Sequence, residues 1–163
     1  MLDQKIKTID LTFSLAQIDD SKQIPKKNEF EVESACIDTK HYQVMSGFVK
    51  PESVLRIYDF IDTNQCSLAE SVPFPKAIVG VCFIPNILPG GKDLVVIGTQ
   101  GGTIHLWDQI HQKSIAKLSG HLTAPRVFKF DRNSKYLASG GEDTNIKVWD
   151  MASPNKSCLM TFK

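Results

Sequence analysis

Apolar and polar residues alternate along short runs of this chain, and segments rich in turn-forming residues separate those runs. Clear examples of alternation are Ile9–Leu15, Thr103–Trp107 and Ile146–Trp149. A period of two residues is typical of β-strands that bury one face. Gly98–Gly102 is typical of the intervening segments, because its three glycines suit a hairpin turn. The pattern therefore predicts an all-β chain.

The alternating runs after residue 28 predict three consecutive groups of four strands. The predicted strands are 29–39, 42–48, 53–60 and 67–73; 77–84, 94–98, 103–109 and 114–118; and 126–131, 136–140, 145–151 and 157–162. Val95–Ile97 is apolar on both faces, which predicts a strand buried between two neighbouring sheets. The run Ile9–Leu15 predicts one further strand, followed by a polar linker up to residue 28.

An aromatic residue followed by aspartate ends the third strand of each group. The pairs are Tyr58-Asp59, Trp107-Asp108 and Trp149-Asp150, separated by 49 and then 42 positions. Aligning Phe83 with Phe130 places five extra residues in segment 87–93, for which the sequence predicts a turn rich in Pro and Gly. The groups are therefore copies of one repeat with an insertion in the second copy.

The segment from Gly120-His121 to Trp149-Asp150 resembles a WD40 repeat, the unit of one four-stranded β-propeller blade. The resemblance implies an all-β fold of about three four-stranded antiparallel WD40-type β-propeller blades plus one extra N-terminal strand. Residues 1–28 would form the N-terminal strand and linker, and the blades would cover about 29–75, 76–119 and 120–163. Because propellers usually have four to eight blades, this would be part of an incomplete or truncated propeller.

The same resemblance implies a buried hydrogen-bond network in the third blade, formed by His121, Ser139, Asp143 and Trp149. A connected network of this kind gives each buried polar group a partner. A hydrolase triad is the competing interpretation of His, Ser and Asp, but Ser139 lacks the nucleophile-elbow context of such enzymes.

The other two blades depart from this pattern. The second blade has Ile97 at the Ser position and Gly101 at the Asp position, and the first has Tyr58 at the Trp position. Only the third blade is therefore expected to carry the complete network.

Length, composition and charge limit the classes of protein to which this chain can belong. With 163 residues and 42% apolar content, the chain can bury a core. A net charge of +1 gives no basic field that would favour nucleic acid as a partner. No apolar run approaches a membrane span of about 18 residues, and the first residues lack the apolar centre of a signal peptide. An intracellular protein, cytoplasmic or nuclear or both, is the expectation.

We find no catalytic, cofactor-binding or metal-binding constellation in the sequence. The four cysteines, Cys36, Cys66, Cys82 and Cys158, form no C-x-x-C motif and are interpreted as small buried apolar residues. Three further histidines are expected to be surface or half-buried residues: His41, His105 and His111. The side chain of His105 should point away from the face that packs Ile104 and Leu106.

The resemblance implies a non-enzymatic scaffold that binds other proteins or peptides through rigid loops. By analogy with the family, partners meet the loops at 122–126 and 142–145, so Arg126 and Glu142 are the candidate partner-binding residues. The competing interpretation is that both are ordinary exposed charges.

An alternative function is a targeting or substrate-recruiting subunit of an enzyme or cytoskeletal complex. The segment Asp143–Asp150 is similar to a blade of the non-catalytic subunit of katanin, a microtubule-severing enzyme. A substrate receptor of a ubiquitin ligase is a further alternative. Such receptors usually have Arg two residues after the Asp of the Trp-Asp pair; this chain has Ile110 and Ala152 at those positions, which argues against that role.

Three accounts of the incomplete ring stay open. The chain could be a fragment of a larger propeller, which we favour; two copies could close a ring of six blades; or a partner could complete the core. Self-association through open blade edges is an accompanying expectation.

Overall fold

The computed structural model describes residues 31–38, 43–50, 53–62, 65–88, 92–109 and 111–163. The predicted strand at 9–15, the polar linker, His41 and Ile110 lie outside these residues. Every helix or strand assigned within the described ranges is a β-strand, and together they form three separate four-stranded sheets.

Each sheet is an antiparallel meander whose strands neighbour one another in chain order. The first sheet contains β1 (Glu31–Asp38), β2 (Gln43–Lys50), β3 (Val54–Asp62) and β4 (Gln65–Pro73). The second contains β5 (Ile78–Leu88), β6 (Lys92–Thr99), β7 (Thr103–Asp108) and β8 (Lys113–Ser119). The third contains β9 (Pro125–Phe130), β10 (Tyr136–Gly141), β11 (Ile146–Asp150) and β12 (Cys158–Phe162). The predicted all-β class with three antiparallel sheets is confirmed.

The insertion in the second sheet differs from its prediction. The sequence predicts a turn over residues 87–93, but β5 extends to Leu88, β6 begins at Lys92, and these two residues pair. The ladder shifts register between Ile84 and Leu88, which absorbs the extra residues. In the extended hairpin, backbone N–H and C=O groups can bond to the opposite strand. In a long turn, the same groups would bond to water instead.

The three sheets pack face to face in chain order, with one apolar cluster at each junction. The cluster between the first and second sheets contains Met45, Leu55, Ile57, Phe74, Ile78, Val81, Val95 and Ile97. The cluster between the second and third sheets contains Leu94, Val96, Ile104, Leu106, Leu118, Phe128, Leu137 and Trp149. Because successive residues of a strand point to opposite faces, β6 contributes alternately to both. The prediction that Val95–Ile97 lies buried between two sheets is confirmed.

Glycines let the second and third sheets approach closely near the start of β9. A Cβ atom at Gly80 would lie 2.8 Å from both the Arg126 carbonyl oxygen and the Phe128 ring. A Cβ atom at Gly98 would lie 2.7 Å from the same ring and even closer to the carbonyl oxygen of Pro125. The absence of side chains at these two positions therefore sets the distance between the sheets.

The third sheet packs on one face and exposes apolar residues on the other. Val127, Gly140, Ile146 and Phe162 pair successively across β9 to β12, so they form one row on the outer face. Val127, Ile146, Phe162 and Met160 are between 51% and 61% exposed. The equivalent row of the second sheet, which includes Ile104 and Leu118, is buried against the third sheet.

Candidate protein-interaction face and its buried network

The structure brings His121, Ser139 and Trp149 together inside the third sheet. The indole Nε1 of Trp149 donates a hydrogen bond to Ser139 Oγ at 2.8 Å. Ser139 Oγ also lies 2.7 Å from His121 Nε2, which accepts the serine proton if Nδ1 carries the imidazole proton. The three side chains therefore form a chain of bonds with one consistent direction.

Asp143 completes this chain and joins two loops. Both carboxylate oxygens lie 3.0 Å from His121 Nδ1, and they also accept the backbone N–H groups of Leu122 at 2.9 Å and Asn145 at 3.2 Å. Burial by itself raises the pKa of the Asp143 carboxyl, but the bonds from Leu122, His121 and Asn145 outweigh it and hold that pKa well below its ordinary value. The ionised carboxylate thus fastens the segment before β9 to the β10–β11 turn.

The same geometry argues against hydrolytic chemistry at these residues. Ser139 is 1% exposed, and its hydroxyl already bonds both His121 and Trp149. A nucleophile must reach a substrate carbonyl, and this hydroxyl has no such path. The arrangement suits stabilisation of the blade and its loops.

Arg126 and Glu142, the two candidate partner-binding residues, form an ion pair. Arg126 Nε and Nη2 both lie 2.6 Å from Glu142 Oε1. Arg126 Nη1 donates a further hydrogen bond at 2.8 Å to Glu33, which belongs to the first sheet. The bonds with Glu33 and then Glu142 raise the pKa of the Arg126 guanidinium. The two residues are exposed, as the competing interpretation expects, but they are not isolated charges.

Sequence reasoning missed Glu33, although the repeat contains a signal for it. Glu33 and Arg126 each lie four residues before equivalent positions, Ile37 and Phe130. Val79 holds the same position in the second sheet and is buried. One repeat position thus carries Glu33 in the first sheet and Arg126 in the third. These two side chains are long enough to contact each other although the second sheet lies between their strands.

Leu122 is a second residue that sequence reasoning missed. It is 81% exposed, on the segment whose backbone Asp143 holds in place. Exposed leucine in a loop has no distinguishing sequence pattern, so only the structure identifies it. Leu122, Arg126 and Glu142 together define what we call the loop face of the third sheet.

The second sheet replaces the polar network with apolar contacts. Phe74 occupies the place of the histidine, with its ring 5.5 Å from both the Trp107 ring and the His105 ring. Ile97 stands at the serine position, and the buried Trp107 Nε1 has no hydrogen-bond partner within the described part of the chain. A network confined to the third blade was the sequence-based expectation, and these contacts are consistent with it.

His105 corrects part of another prediction. It points away from Ile104 and Leu106, as predicted, but it is 7% exposed and therefore buried, where a surface or half-buried residue was expected. Phe74, from the segment after β4, covers it. Burial, and then the charge of Lys117, lower the pKa of the His105 imidazole.

The aspartates that follow the aromatic residues organise local structure. Asp108 accepts the backbone N–H of His111 at 3.0 Å and contacts its imidazole at 2.8 Å. Asp150 accepts the N–H of Ala152 at 2.9 Å. Asp59, next to Tyr58 in β3, accepts the side-chain amide of Gln43 at 2.6 Å. These residues fix turns and strand pairs.

The cysteines differ in their environments. Cys36 and Cys82 are half-buried against the two apolar clusters, and burial raises the pKa of the Cys82 thiol. Cys158 is exposed on β12, so the prediction that it is a small buried residue is wrong. Its strand lies at the edge of the third sheet, where nothing described covers it. No group of three His, Cys, Asp or Glu residues suited to a metal ion occurs within the described ranges.

Comparisons with known proteins agree with this architecture. Residues 112–150 match the family described as "WD domain, G-beta repeat". The third sheet thus contains a match to the WD40 repeat, and the chain is similar to WD-repeat proteins. Over 76 residues it is 37% identical to the B-type cell cycle switch protein ccs52B of Medicago truncatula, an alignment that covers 47% of this chain and 15% of the relative. Over 156 residues it is 26% identical to meiotic fizzy-related protein 1 of Schizosaccharomyces pombe, covering 88% of this chain and 37% of the relative.

A solved structure shows the same fold. A chain in the crystal structure of the mitotic checkpoint complex superposes with a TM-score of 0.66 at 20% identity, covering 82% of this chain and 38% of that one. The present chain thus spans well under half the length of the proteins it matches. No helix able to cross a membrane occurs in the described residues.

Proposed function

We propose that this WD40 chain is a non-enzymatic scaffold that binds other proteins or peptides through the loop face of the third sheet. The observation that carries the proposal is the exposed Leu122 on a segment fixed by a buried carboxylate. Because the backbone of this segment is already ordered, binding a partner through the exposed leucine costs little further backbone entropy, which favours an interface.

The ion-paired group beside Leu122 would supply specificity. Arg126 with Glu33 and Glu142 carries a formal net charge of −1, because one guanidinium contacts two carboxylates. Side-chain exposures of 30% to 50% leave these charges open to a partner. Charges at the rim of an interface mainly set orientation and association rate. A partner with an apolar residue next to a basic one fits this arrangement.

A double substitution on the loop face tests the proposal. Leu122→Ser combined with Arg126→Ala should reduce capture of a bound partner at least about tenfold, since each lost contact of this kind costs about 1 kcal/mol or more. Arg132→Ala is the control, because Arg132 is also exposed but lies in the β9–β10 turn at the opposite edge of the sheet. Quantitative affinity capture from cells that express each variant, with thermal melting to verify the fold, gives the comparison. Equal loss in both variants, or loss in neither, contradicts the assignment of this face.

The alternative function is a targeting or substrate-recruiting subunit of an enzyme or cytoskeletal complex. The names of the relatives favour a cell-cycle complex over the katanin-like severing complex, since one relative is a cell cycle switch protein and a structural neighbour belongs to a checkpoint complex. Capture of a single enzyme in stoichiometric amount would support this function. Several unrelated partners would support the general scaffold.

Three further parts of the proposal concern the cellular setting and the blades. We place the protein inside the cell, in cytoplasm, nucleus or both, in keeping with the names of its relatives. We assign no catalytic residue and no cofactor, consistent with a family that generally serves in binding. Blade limits of about 29–75, 76–119 and 120–163, after an N-terminal strand and linker, remain our proposed domain division.

A further inference from the structure

The second sheet contains a cleft of about 190 Å³ on the same edge as the loop face. Lys76, between β4 and β5, lines it together with Thr99 and Thr103, which flank the β6–β7 turn. The remaining polar lining comes from His105 on β7 and from Lys117 and Ser119 on β8. The segment before β5 and the β6–β7 turn correspond to the segment before β9 and the β10–β11 turn, which contribute to the loop face one sheet further on.

The lining is cationic and rich in hydrogen-bond donors. It contains two lysines, one histidine and three hydroxyl groups, and no carboxylate. The Thr99 hydroxyl already donates to the Thr103 carbonyl oxygen at 3.1 Å, so the hydroxyls of Thr103 and Ser119 are the ones left to donate to a ligand. Neither lysine forms an ion pair with any residue that the structure describes. Ammonium and hydroxyl groups facing one cleft without a counter-charge favour an anionic ligand.

The repeat itself explains why this cleft is positive. Gly101 lies six residues before Trp107, the same spacing that separates Asp143 from Trp149. In the third sheet the Asp143 carboxylate fills this position, whereas in the second the ammonium end of Lys76 lies directly beside Gly101. Loss of the carboxylate thus opens space and reverses the local charge relative to the third sheet.

His105 and Thr99 are the two buried residues of the polar lining. Its ring packs edge-on against Phe74, and its backbone pairs with that of Lys117 across β7 and β8. Without an anion, burial and the Lys117 charge favour the neutral imidazole by lowering its pKa. An anion in the cleft would act in the opposite direction, so His105 is a natural reporter of occupancy.

We propose that this cleft binds a phosphate monoester carried by a serine or threonine side chain of a partner protein. A phosphate monoester carries about −1.5 to −2 charges at pH 7 and three acceptor oxygens, which matches two lysines and the neighbouring hydroxyls. A carboxylate would leave one lysine without a counter-charge. The choice of a protein as carrier rests on the proposed scaffold function, while the anion site itself does not.

Nuclear magnetic resonance of the His105 imidazole tests the site with defined probes. The probes are N-acetyl-phosphoserine N-methylamide, inorganic phosphate, and the unphosphorylated serine amide. We expect a saturable shift of the His105 resonances and a raised His105 pKa with the phosphoserine probe, weaker effects with inorganic phosphate, and none with the serine amide. An effect of inorganic phosphate alone would overturn the protein-borne source.

Substitutions along one strand supply the matched control. Lys117→Gln and Lys76→Gln should each weaken binding of the phosphoserine probe about tenfold, because each removes a charge-assisted hydrogen bond. Lys113→Gln, on the same strand but at its other end, should leave it unchanged. Gly101→Asp should abolish binding, and only the flexible end of Lys76 must move to admit it.

Two outcomes would overturn the proposal: no saturable shift up to about 10 mM probe, which is weaker than any useful phosphate site, or a shift that survives both lysine substitutions and Gly101→Asp. Neither outcome affects the comparison of Arg126 with Arg132, because that comparison concerns capture at other residues. The two proposals therefore fail independently.

Discussion

At the residue scale, comparison of the two tryptophans isolates the contribution of one buried hydrogen bond to stability. Trp149 Nε1 donates to Ser139, whereas Trp107 Nε1 has no partner in the described structure because Ile97 replaces the serine. Substitution of either tryptophan by phenylalanine removes the indole N–H and about the same side-chain volume. Trp149→Phe should therefore cost about 1 kcal/mol more unfolding free energy than Trp107→Phe, the net worth of one such bond. Urea denaturation followed by circular dichroism measures both, and equal costs would show that the bond adds nothing.

The residues of the network were expected because the segment resembles a WD40 repeat, and their replacements in the other sheets followed from fixed offsets within the repeat. The link between Arg126 and Glu33 was not, since these residues are 93 positions apart and meet only through the packing of three sheets. His105 shows the same limit. Alternation predicted the face on which it lies, but its burial depends on Phe74, which belongs to a different segment.

At the element scale, β6 and β10 share a repeat position that tests the packing of neighbouring sheets. Gly98 and Gly140 are equivalent, yet a Cβ at Gly98 would meet Phe128 at 2.7 Å whereas one at Gly140 would meet nothing nearer than Val127 at 4.0 Å. Gly98→Ala should cost about 1–3 kcal/mol through overpacking. Gly140→Ala should stay within about 0.5 kcal/mol of the parent chain, as an uncrowded substitution. The measurement is the urea concentration at the unfolding midpoint of each variant. Similar midpoints would mean that the close approach of the sheets does not contribute to stability.

Strand order and antiparallel pairing could be predicted because the repeat period and the alternation specify them together. The extension of β5 and β6 could not be predicted. Pro and Gly residues around position 90 signal a turn, but the sequence does not say how far the ladder continues toward it. That length depends on backbone pairing between Leu88 and Lys92, which is a balance of local hydrogen bonds.

At the scale of the whole molecule, the outer face of the third sheet decides how this chain behaves in solution. Ile146 and Met160 lie on that face and are exposed, whereas Ile104 and Ala116, their counterparts in the second sheet, are buried or half-buried at the junction with the third. A contiguous apolar face of this kind promotes association. We expect the 163-residue chain to show concentration-dependent self-association in sedimentation velocity.

Charged substitutions on the outer face of the third sheet distinguish association through that face from nonspecific association. Ile146→Lys combined with Met160→Lys should shift the chain to monomer, because burying either ammonium against a second copy carries a desolvation penalty. Leu122→Lys is the control, since Leu122 is more exposed than either residue but lies on the loop face. If Leu122→Lys suppresses association and the double variant does not, the copies meet through the loop face. The outer face of the third sheet would then be compatible with solvent, and the loop face would be the surface through which the chain joins others.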